Sequence, residues 1–272
     1  MKELLTRTIA GAALVLIVIA SILFSEYSFL ALFLVITFIA QKEFCNIAGK
    51  PTGSGQIMLA ISSLGTLVIT FLTGYGLIPL HCLAFIPVLL VLNFSVILFH
   101  SGSNMTEELG KSSLFYLWIT IPQALFILSG RITGDGIYTP MIPLSIIVMI
   151  WIFDTFAYLT GMISGGRHKM YPSLSPKKSW EGFAGGTIFT IVLAALAGPL
   201  TGFLNPVHWI LTALVVSLTA TLGDFFESRF KREHHVKDSG KIIPGHGGIL
   251  DRFDSLFFTA PVIYALFLIF RL

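Results

Sequence analysis

Two pairs of carboxylates stand at the ends of apolar segments near the end of this sequence. Asp224 and Glu227 lie three residues apart in TATLGDFFESRFKR, and Asp251 and Asp254 lie three residues apart in GILDRFDS. On a helix, this spacing places both members of a pair on one face. Carboxylate oxygens suit Mg²⁺, which also bridges to phosphate oxygens. The four residues therefore predict a hard-cation site; the alternatives are ion pairs with nearby arginines and helix capping.

A glycine-rich stretch, PGHGG at residues 244–248, leads into the last apolar segment. Gly245, Gly247 and Gly248 permit positive φ and a close approach of backbone to a ligand. Free N–H groups at the N-terminus of the following helix favour phosphate. His246 stands between two glycines, where no packing role is obvious, so a phosphate contact or a general-acid role is a hypothesis for it.

A second polar loop, SPKKSWEG at residues 175–182, contains two adjacent lysines just before another apolar segment. Lys177 and Lys178 can hold phosphates as point charges. A basic loop beside a membrane can also simply contact anionic lipid, and this loop taken alone does not decide between the two readings.

The elements that must position these residues are apolar. The chain has 272 residues, of which 55% are hydrophobic and 11% charged, and its mean hydropathy is +0.87. Soluble domains carry about 25% charged residues, so this chain cannot cover a water-facing surface. The composition predicts an all-α integral membrane protein, one polytopic membrane domain over residues 1–272. Windows of about 20 apolar residues predict nine spans, near 8–24, 28–46, 56–74, 78–99, 113–130, 141–163, 182–203, 207–228 and 253–271.

The distribution of basic residues predicts the orientation of these spans. With the N-terminus in the cytosol, all of the 17 Lys and Arg except Arg131 and Arg271 fall in cytosolic segments. The positive-inside rule therefore predicts a cytosolic N-terminus and an outside C-terminus. Both polar loops then face the cytosol. The loop that contains residues 244–248, together with its flanking helix ends, forms the predicted catalytic segment, residues 224–254.

Two further features lie within the predicted spans. Asp154 lies among aromatic residues in WIFDTFAYLTG, and a carboxylate at membrane depth is costly and hence a functional candidate. The pairs Gly161/Gly165 and Gly182/Gly186 permit close helix packing, either within the chain or between two copies.

The segment SRFKREHHVKDSGKIIPGHGGILDRFD, residues 228–254, resembles the signature of the phosphatidate cytidylyltransferases, also called CDP-diacylglycerol synthases. S-x-F-K-R, K-D-S-G and P-G-H-G-G-x-x-D-R-x-D all stand at that family's spacing. WIFDTFAYLTG and SPKKSWEG resemble the family's upstream blocks, whereas the N-terminal half carries no diagnostic motif.

This resemblance implies the reaction CTP + phosphatidate → CDP-diacylglycerol + pyrophosphate, a step of phospholipid biosynthesis. It implies Mg²⁺ as cofactor, with a monovalent cation such as K⁺ alongside, and a metal site built on Asp224 and Asp251. It further implies a homodimer in a bacterial inner membrane, with the active site facing the cytosol and no nucleic acid as partner.

The reaction gives the other polar residues predicted roles. A phosphate nucleophile is already an anion, so catalysis needs positioning and cations more than a strong base. The predicted catalytic residues are Asp224, Asp251, Lys237 and His246. The predicted substrate-binding residues are Ser175, Lys177, Lys178, Arg232, Lys237, Gly245, Gly247 and Gly248. The predicted metal ligands are Asp224 and Asp251, with Asp254, Glu227 and Asp154 as supporting or alternative ligands.

Two other functions remain open on the sequence. A CTP-dependent lipid or polyprenol kinase would share the cations and the topology, and the labelled product would distinguish it. An ion-coupled transporter would also use intramembrane carboxylates and interrupted helices. The clustering of polar residues at one interface, and a sequence without a visible repeat, argue against the transporter.

Overall fold

The structure is a computed structural model that describes residues 2–49, 53–100, 104–133, 136–245 and 247–270. Its helices are α1 (Lys2–Phe24), α2 (Glu26–Ala48), α3 (Gly53–Gly74), α4 (Phe85–His100), α5 (Met105–Phe115), α6 (Ile121–Ser129), α7 (Met141–Ile163), α8 (Trp180–Ala197), α9 (Pro206–Glu233) and α10 (Leu250–Phe270). Short 3₁₀ segments occupy Leu80–Ala84 and Gly198–Thr201, and a π-helical turn, Tyr116–Thr120, joins α5 to α6. An antiparallel hairpin of β1 (Lys169–Tyr171) and β2 (Ser175–Ser179) precedes α8.

Eight helical stretches of the described chain are long and apolar enough to cross a membrane. The prediction of an all-α integral membrane protein is therefore confirmed. The remaining predicted span, 182–203, corresponds to α8, which is apolar but shorter than the eight stretches above. Its helix ends early because a 3₁₀ segment begins at Gly198, and Pro199 has no backbone N–H to continue the ladder. The orientation of the termini stays a prediction.

The chain separates into two compact units. Unit 1 comprises Met1–Pro140 and Val236–Arg252, and unit 2 comprises Met141–His235 and Phe253–Leu272. Unit 1 thus holds α1 to α6 together with the loop that follows α9, whereas unit 2 holds α7 to α9, the hairpin and most of α10. Each unit contains part of the predicted site, and the single domain over residues 1–272 stays a prediction.

In unit 1, aromatic side chains fix α2 against α6. The ring of Phe126 lies 5.4 Å from that of Phe29 and 5.1 Å from that of Phe33, measured between centroids, and all three are fully buried. Tilted and edge-to-face pairs of this kind add to the stability that burial provides. These contacts hold the N-terminal half of α2 against α6, and Glu43 lies near the C-terminal end of the same helix.

In unit 2, small residues let α7 and α8 approach closely. A Cβ atom on Gly161 would lie 3.5 Å from the Cα of Gly182, and one on Gly182 would lie 2.7 Å from the carbonyl oxygen of Ala157. A Cβ on Gly186 would lie 2.9 Å from the carbonyl oxygen of Phe153. These glycines therefore pack helices within the chain, which was one of the two readings that the sequence left open.

Candidate active site

The basic loop before α8 is a hairpin rather than an irregular segment. Lys169 pairs with Ser179 across the two strands, and the N–H of Trp180 donates to the His168 carbonyl oxygen at 2.9 Å. The Ser179 side chain caps α8 by accepting the N–H of Gly182 at 3.2 Å. Strand β2 ends at Ser179, which is also the N-cap of α8. The lysines of β2 are therefore held next to the N-terminus of that helix.

A cavity of about 670 Å³ lies within unit 2, between α7, the hairpin, α8 and α9. Its charged lining residues are Asp154, Lys169, Lys177, Lys178 and Asp224. Glycines and apolar side chains make up most of the remaining wall, which is the usual composition of a ligand site with few convergent polar groups. Three cations and two anions lining one space suit a ligand that carries phosphates, because lysines bind phosphate as point charges.

Lys178 and Asp224 are joined at the centre of this charge cluster. The Lys178 ammonium lies 2.7 Å from Asp224 Oδ2, and the Ser228 hydroxyl donates to Asp224 Oδ1 at 3.3 Å. The ammonium also lies 5.1 Å from the centroid of the Phe225 ring. Lys178 is thus held by a carboxylate and an aromatic face, and the two side chains remain 24% and 36% exposed, within reach of a ligand.

Asp254 belongs to the same cluster. A Cβ on Gly223 would lie 3.0 Å from the Cα of Ser255, so α9 and α10 pack almost backbone to backbone beside it. Asp254 consequently lies within electrostatic range of Asp224, Asp154 and Lys178. The structure therefore brings together Asp224 and Asp254, two of the four carboxylates predicted as a group, with Asp154 of α7, which the sequence predicted as a supporting or alternative ligand.

Asp251 lies in unit 1, where backbone donors surround it. Its Oδ2 accepts the Ser239 N–H at 2.9 Å, the Ser239 hydroxyl at 2.9 Å and the Gly248 N–H at 2.7 Å. Gly245 and Gly247 adopt φ angles of +72° and +85°, the conformation that the sequence analysis named as one that glycine permits. Because Asp224 belongs to unit 2, the pairing of the two aspartates around a metal stays a prediction.

Other predicted residues lie outside the cavity lining. Glu227 is buried, with its Oε2 2.6 Å from the Lys231 ammonium. Arg232 is exposed in the last turn of α9, and Lys237 is exposed in the loop that follows. His246 lies outside the described residues. Their predicted roles in catalysis, binding and metal ligation stay predictions.

Two residues that were not predicted from the sequence lie in or next to the candidate site. Lys169 lines the cavity of unit 2, and the hairpin that carries it there was not predicted. Glu43 is 3% exposed in α2 and accepts hydrogen bonds from the loop of Asp251. A carboxylate inside the predicted span 28–46 was the signal that would have identified Glu43.

The donors in this structure fit Mg²⁺. The part of the chain that the structure describes contains no group of three or more His, Cys, Asp or Glu that could hold a metal ion. Mg²⁺ usually takes one or two carboxylates and completes its shell with waters and substrate phosphates. Asp224 and Asp154 supply such hard oxygen donors in the cavity, beside lysines that can hold the same phosphates.

Taken together, the spans and the cavity define a polytopic helical membrane protein whose charged site is suited to phosphate compounds. Residues 5–270 match the sequence profile of the cytidylyltransferase family. Because the match covers nearly the whole chain, the protein belongs to this family, and it is a nucleotidyltransferase.

Individual relatives agree with this membership. The chain is 33% identical over 262 residues to the phosphatidate cytidylyltransferase of Staphylococcus saprophyticus, a match that covers 93% of this chain and 95% of that protein. Proteins of the same name from Bacillus subtilis (strain 168) and Staphylococcus aureus (strain COL) are 46% identical over 124 residues and 48% identical over 118 residues. These two matches cover 45% and 43% of this chain, and 46% and 45% of the relatives' length, so the chain spans about half of these two proteins. The resemblance seen in the sequence is confirmed.

Proposed function

We propose that the protein transfers the cytidylyl group of CTP to phosphatidate, forming CDP-diacylglycerol and releasing pyrophosphate, with Mg²⁺ as cofactor. Family membership and the name of the Staphylococcus saprophyticus relative, which this chain matches over 95% of its length, support the reaction. The cavity of unit 2 supports the proposed location of the site, because Lys177, Lys178 and Asp224 all line it.

The chemistry matches the residues. A phosphate oxygen of phosphatidate attacks the α-phosphorus of CTP, a new P–O bond forms, and the bond to the β-phosphate oxygen breaks. No proton has to be removed from the ionised nucleophile, so the barrier lies in bringing two anions together. The ammonium groups of Lys177 and Lys178 reduce that repulsion. Asp224 and Asp251, the pair that the sequence resemblance implies, would hold Mg²⁺, which would neutralise phosphate charge and stabilise the leaving pyrophosphate.

Lys178 can change partner as the site fills. Its ammonium now neutralises Asp224 at 2.7 Å. A cation held by that carboxylate would replace the ammonium as its counter-ion, and Lys178 would then be free to contact a phosphate oxygen in the same cavity. Asp224 would thus hold Lys178 in place until the substrates arrive.

The wall of the cavity also suits a lipid. Tyr158 and Met162 belong to its lining and are 67% and 59% exposed. We place the acyl chains of phosphatidate in the bilayer beside these residues, with the headgroup at the cytosolic interface of a bacterial inner membrane. The homodimer and the monovalent cation remain part of the proposal on the sequence resemblance alone.

Product analysis tests the function. Purified protein is incubated with phosphatidate, Mg²⁺ and CTP labelled either in the cytidine or in the γ-phosphate. We expect the cytidine label in the lipid and the γ label in pyrophosphate, and no lipid product without a divalent cation. Transfer of the γ label to lipid would instead identify a kinase.

The orientation of the loop can be tested by labelling. In a variant without Cys45 and Cys82, a cysteine placed at the exposed Asp238 is expected to react with a membrane-impermeant maleimide only after intact cells are opened. A cysteine at Leu77, 52% exposed between α3 and α4, is expected to react from outside. The reverse pattern would overturn the predicted topology.

Lys178→Ala is expected to lower kcat/KM for CTP by about 10 to 100-fold, because hydrogen bonds to charged groups contribute about 1.5–3 kcal/mol. The matched control is Lys111→Ala, since Lys111 pairs with Glu107 at 2.6 Å and is 23% exposed, against 24% for Lys178. Steady-state kinetics with CTP and phosphatidate varied in turn measures both variants. Unchanged constants for Lys178→Ala would remove this lysine from the site.

A further inference from the structure

Glu43 is a buried carboxylate that the chemistry above does not use. It lies near the C-terminal end of α2, a helix apolar enough to span a membrane, and only 3% of its surface is exposed. Burying a carboxylate is costly unless hydrogen-bond donors satisfy it. The hydrogen-bond donors around Glu43 therefore indicate which part of the protein the buried carboxylate stabilises.

The partners lie more than 190 residues further along the chain, and all belong to unit 1. Glu43 Oε1 accepts the N–H of Ile249 at 3.0 Å, and Oε2 accepts the N–H of Leu250 at 2.9 Å. Helix α10 begins at Leu250, so these are donors that its first turn cannot satisfy internally. A carboxylate here also complements the positive end of the helix dipole. Glu43 thus caps α10 from a distant helix.

The same carboxylate is connected to Asp251 through one serine. The Ser239 hydroxyl lies 3.2 Å from Glu43 Oε2 and 2.9 Å from Asp251 Oδ2, and its single proton serves one of them at a time. The Ser239 N–H donates to Asp251 as well. Displacement of Glu43 would therefore release both the turn that carries Asp251 and the serine that orients it.

Two glycines of the signature stretch make room for this arrangement. A Cβ on Gly240 would overlap Glu43 Oε1, and a Cβ on Gly248 would lie 2.5 Å from each Glu43 carboxylate oxygen. Neither glycine has a positive φ, so backbone conformation does not require glycine at either position. At Gly240 the space that a side chain would need is occupied by Glu43. At Gly248 it is shared by Glu43 and the Ser239 hydroxyl, which a Cβ atom would also overlap.

We propose that Glu43 is a positioning residue of the active site: it holds the loop at Ser239, Ile249 and Leu250 and thereby fixes the orientation of the Asp251 carboxylate. This role rests on the proposed function of Asp251. Glu43 itself needs no contact with substrate, because its oxygens already receive donors from the loop and the helix turn. Residues that orient a functional carboxylate in this way typically change activity by about 10 to 100-fold when mutated.

The main test compares Glu43→Gln with Glu26→Gln, an acidic residue in the first turn of the same helix. The amide of glutamine has one acceptor oxygen, and its NH₂ group cannot accept the second backbone N–H. We expect amide hydrogen exchange in residues 239–250 to rise roughly tenfold or more in Glu43→Gln, with wild-type exchange in α2 and α7. We expect kcat to fall about 10 to 100-fold while KM for CTP changes little. Glu26→Gln is expected to match the wild type in both measurements.

Hydrogen exchange is measured without substrate, so its result does not depend on the proposed reaction. Faster exchange at 239–250 together with an unexpected lipid product would contradict the proposed function and support the positioning role of Glu43. Wild-type exchange and kcat in Glu43→Gln would overturn the positioning role. So would faster exchange over the whole chain, because that result describes a general loss of stability.

A second pair of variants covers the case in which Glu43→Gln does not accumulate. Gly240→Ala adds a methyl group where the Glu43 carboxylate lies, and it leaves the glutamate in place. Its control is Gly110→Ala, because a Cβ on Gly110 would meet nothing within 4 Å. Faster exchange at 239–250 and reduced kcat in Gly240→Ala alone support the proposal. Equal behaviour of the two alanine variants contradicts it.

Discussion

Asp224→Asn is expected to reduce the rate of CDP-diacylglycerol formation by on the order of 10³-fold while the protein stays folded. A carboxylate that holds Mg²⁺ against the reacting phosphates contributes several kcal/mol to the transition state, and each 1.36 kcal/mol changes the rate tenfold. Asparagine keeps the size of the side chain but removes the charge that attracts both the metal and Lys178. The lost ion pair is partly exposed, so we expect its contribution to folding stability to be about 0–1 kcal/mol.

The control for Asp224→Asn lies on the same helix. Glu233 forms a surface pair with the Arg229 guanidinium at 2.7 Å, and its side chain is 54% exposed. Glu233→Gln thus neutralises a paired carboxylate of α9 away from the cavity and is expected to keep wild-type activity. Turnover of both variants is measured over a range of Mg²⁺ concentrations. Turnover of Asp224→Asn within a few-fold of wild type at every concentration would exclude the metal role of this residue.

How far the sequence predicts the fold differs between the helices and the hairpin. Long apolar windows predicted the helices well, because a bilayer demands both length and apolarity from a spanning segment. The hairpin at 169–179 was missed because SPKKS contains a proline and two lysines and carries no alternating apolar pattern. The early end of α8 at Ala197 has a local cause, since Gly198 and Pro199 follow it.

In the candidate site, the sequence could identify individual charged residues but could not identify the contacts that they make with distant parts of the chain. Asp224, Lys178 and Asp251 could be selected from the sequence, because charged residues beside apolar spans are few. The contact between Lys178 and Asp224 joins two helix ends whose packing depends on Gly161, Gly182 and other small residues. No periodicity encodes such a contact. Glu43 could have been selected in the same way, as a carboxylate inside a predicted span. Its role could not, because its hydrogen-bond partners follow it by about 200 residues.

Asp251→Asn is also expected to lower turnover by on the order of 10³-fold, for two reasons that act on one side chain. The charge that would hold Mg²⁺ is lost. In addition, the Oδ2 atom accepts three hydrogen bonds, from the Ser239 N–H, the Ser239 hydroxyl and the Gly248 N–H. If asparagine places its NH₂ group there, two backbone donors lose their acceptor. If it places its oxygen there, the hydrogen bonds lose the strength that charge confers.

Ser239→Ala separates the two reasons, because it keeps the Asp251 charge and both backbone donors and removes only the hydroxyl. We expect a fall in turnover of about 10-fold for Ser239→Ala, and the much larger loss for Asp251→Asn. Glu107→Gln, an exposed carboxylate of unit 1, serves as the control for neutralisation. If the two site variants lost activity equally, the charge of Asp251 would add nothing to its hydrogen bonds, and the metal would have to be held elsewhere. A large difference between them assigns the excess loss to the carboxylate charge itself.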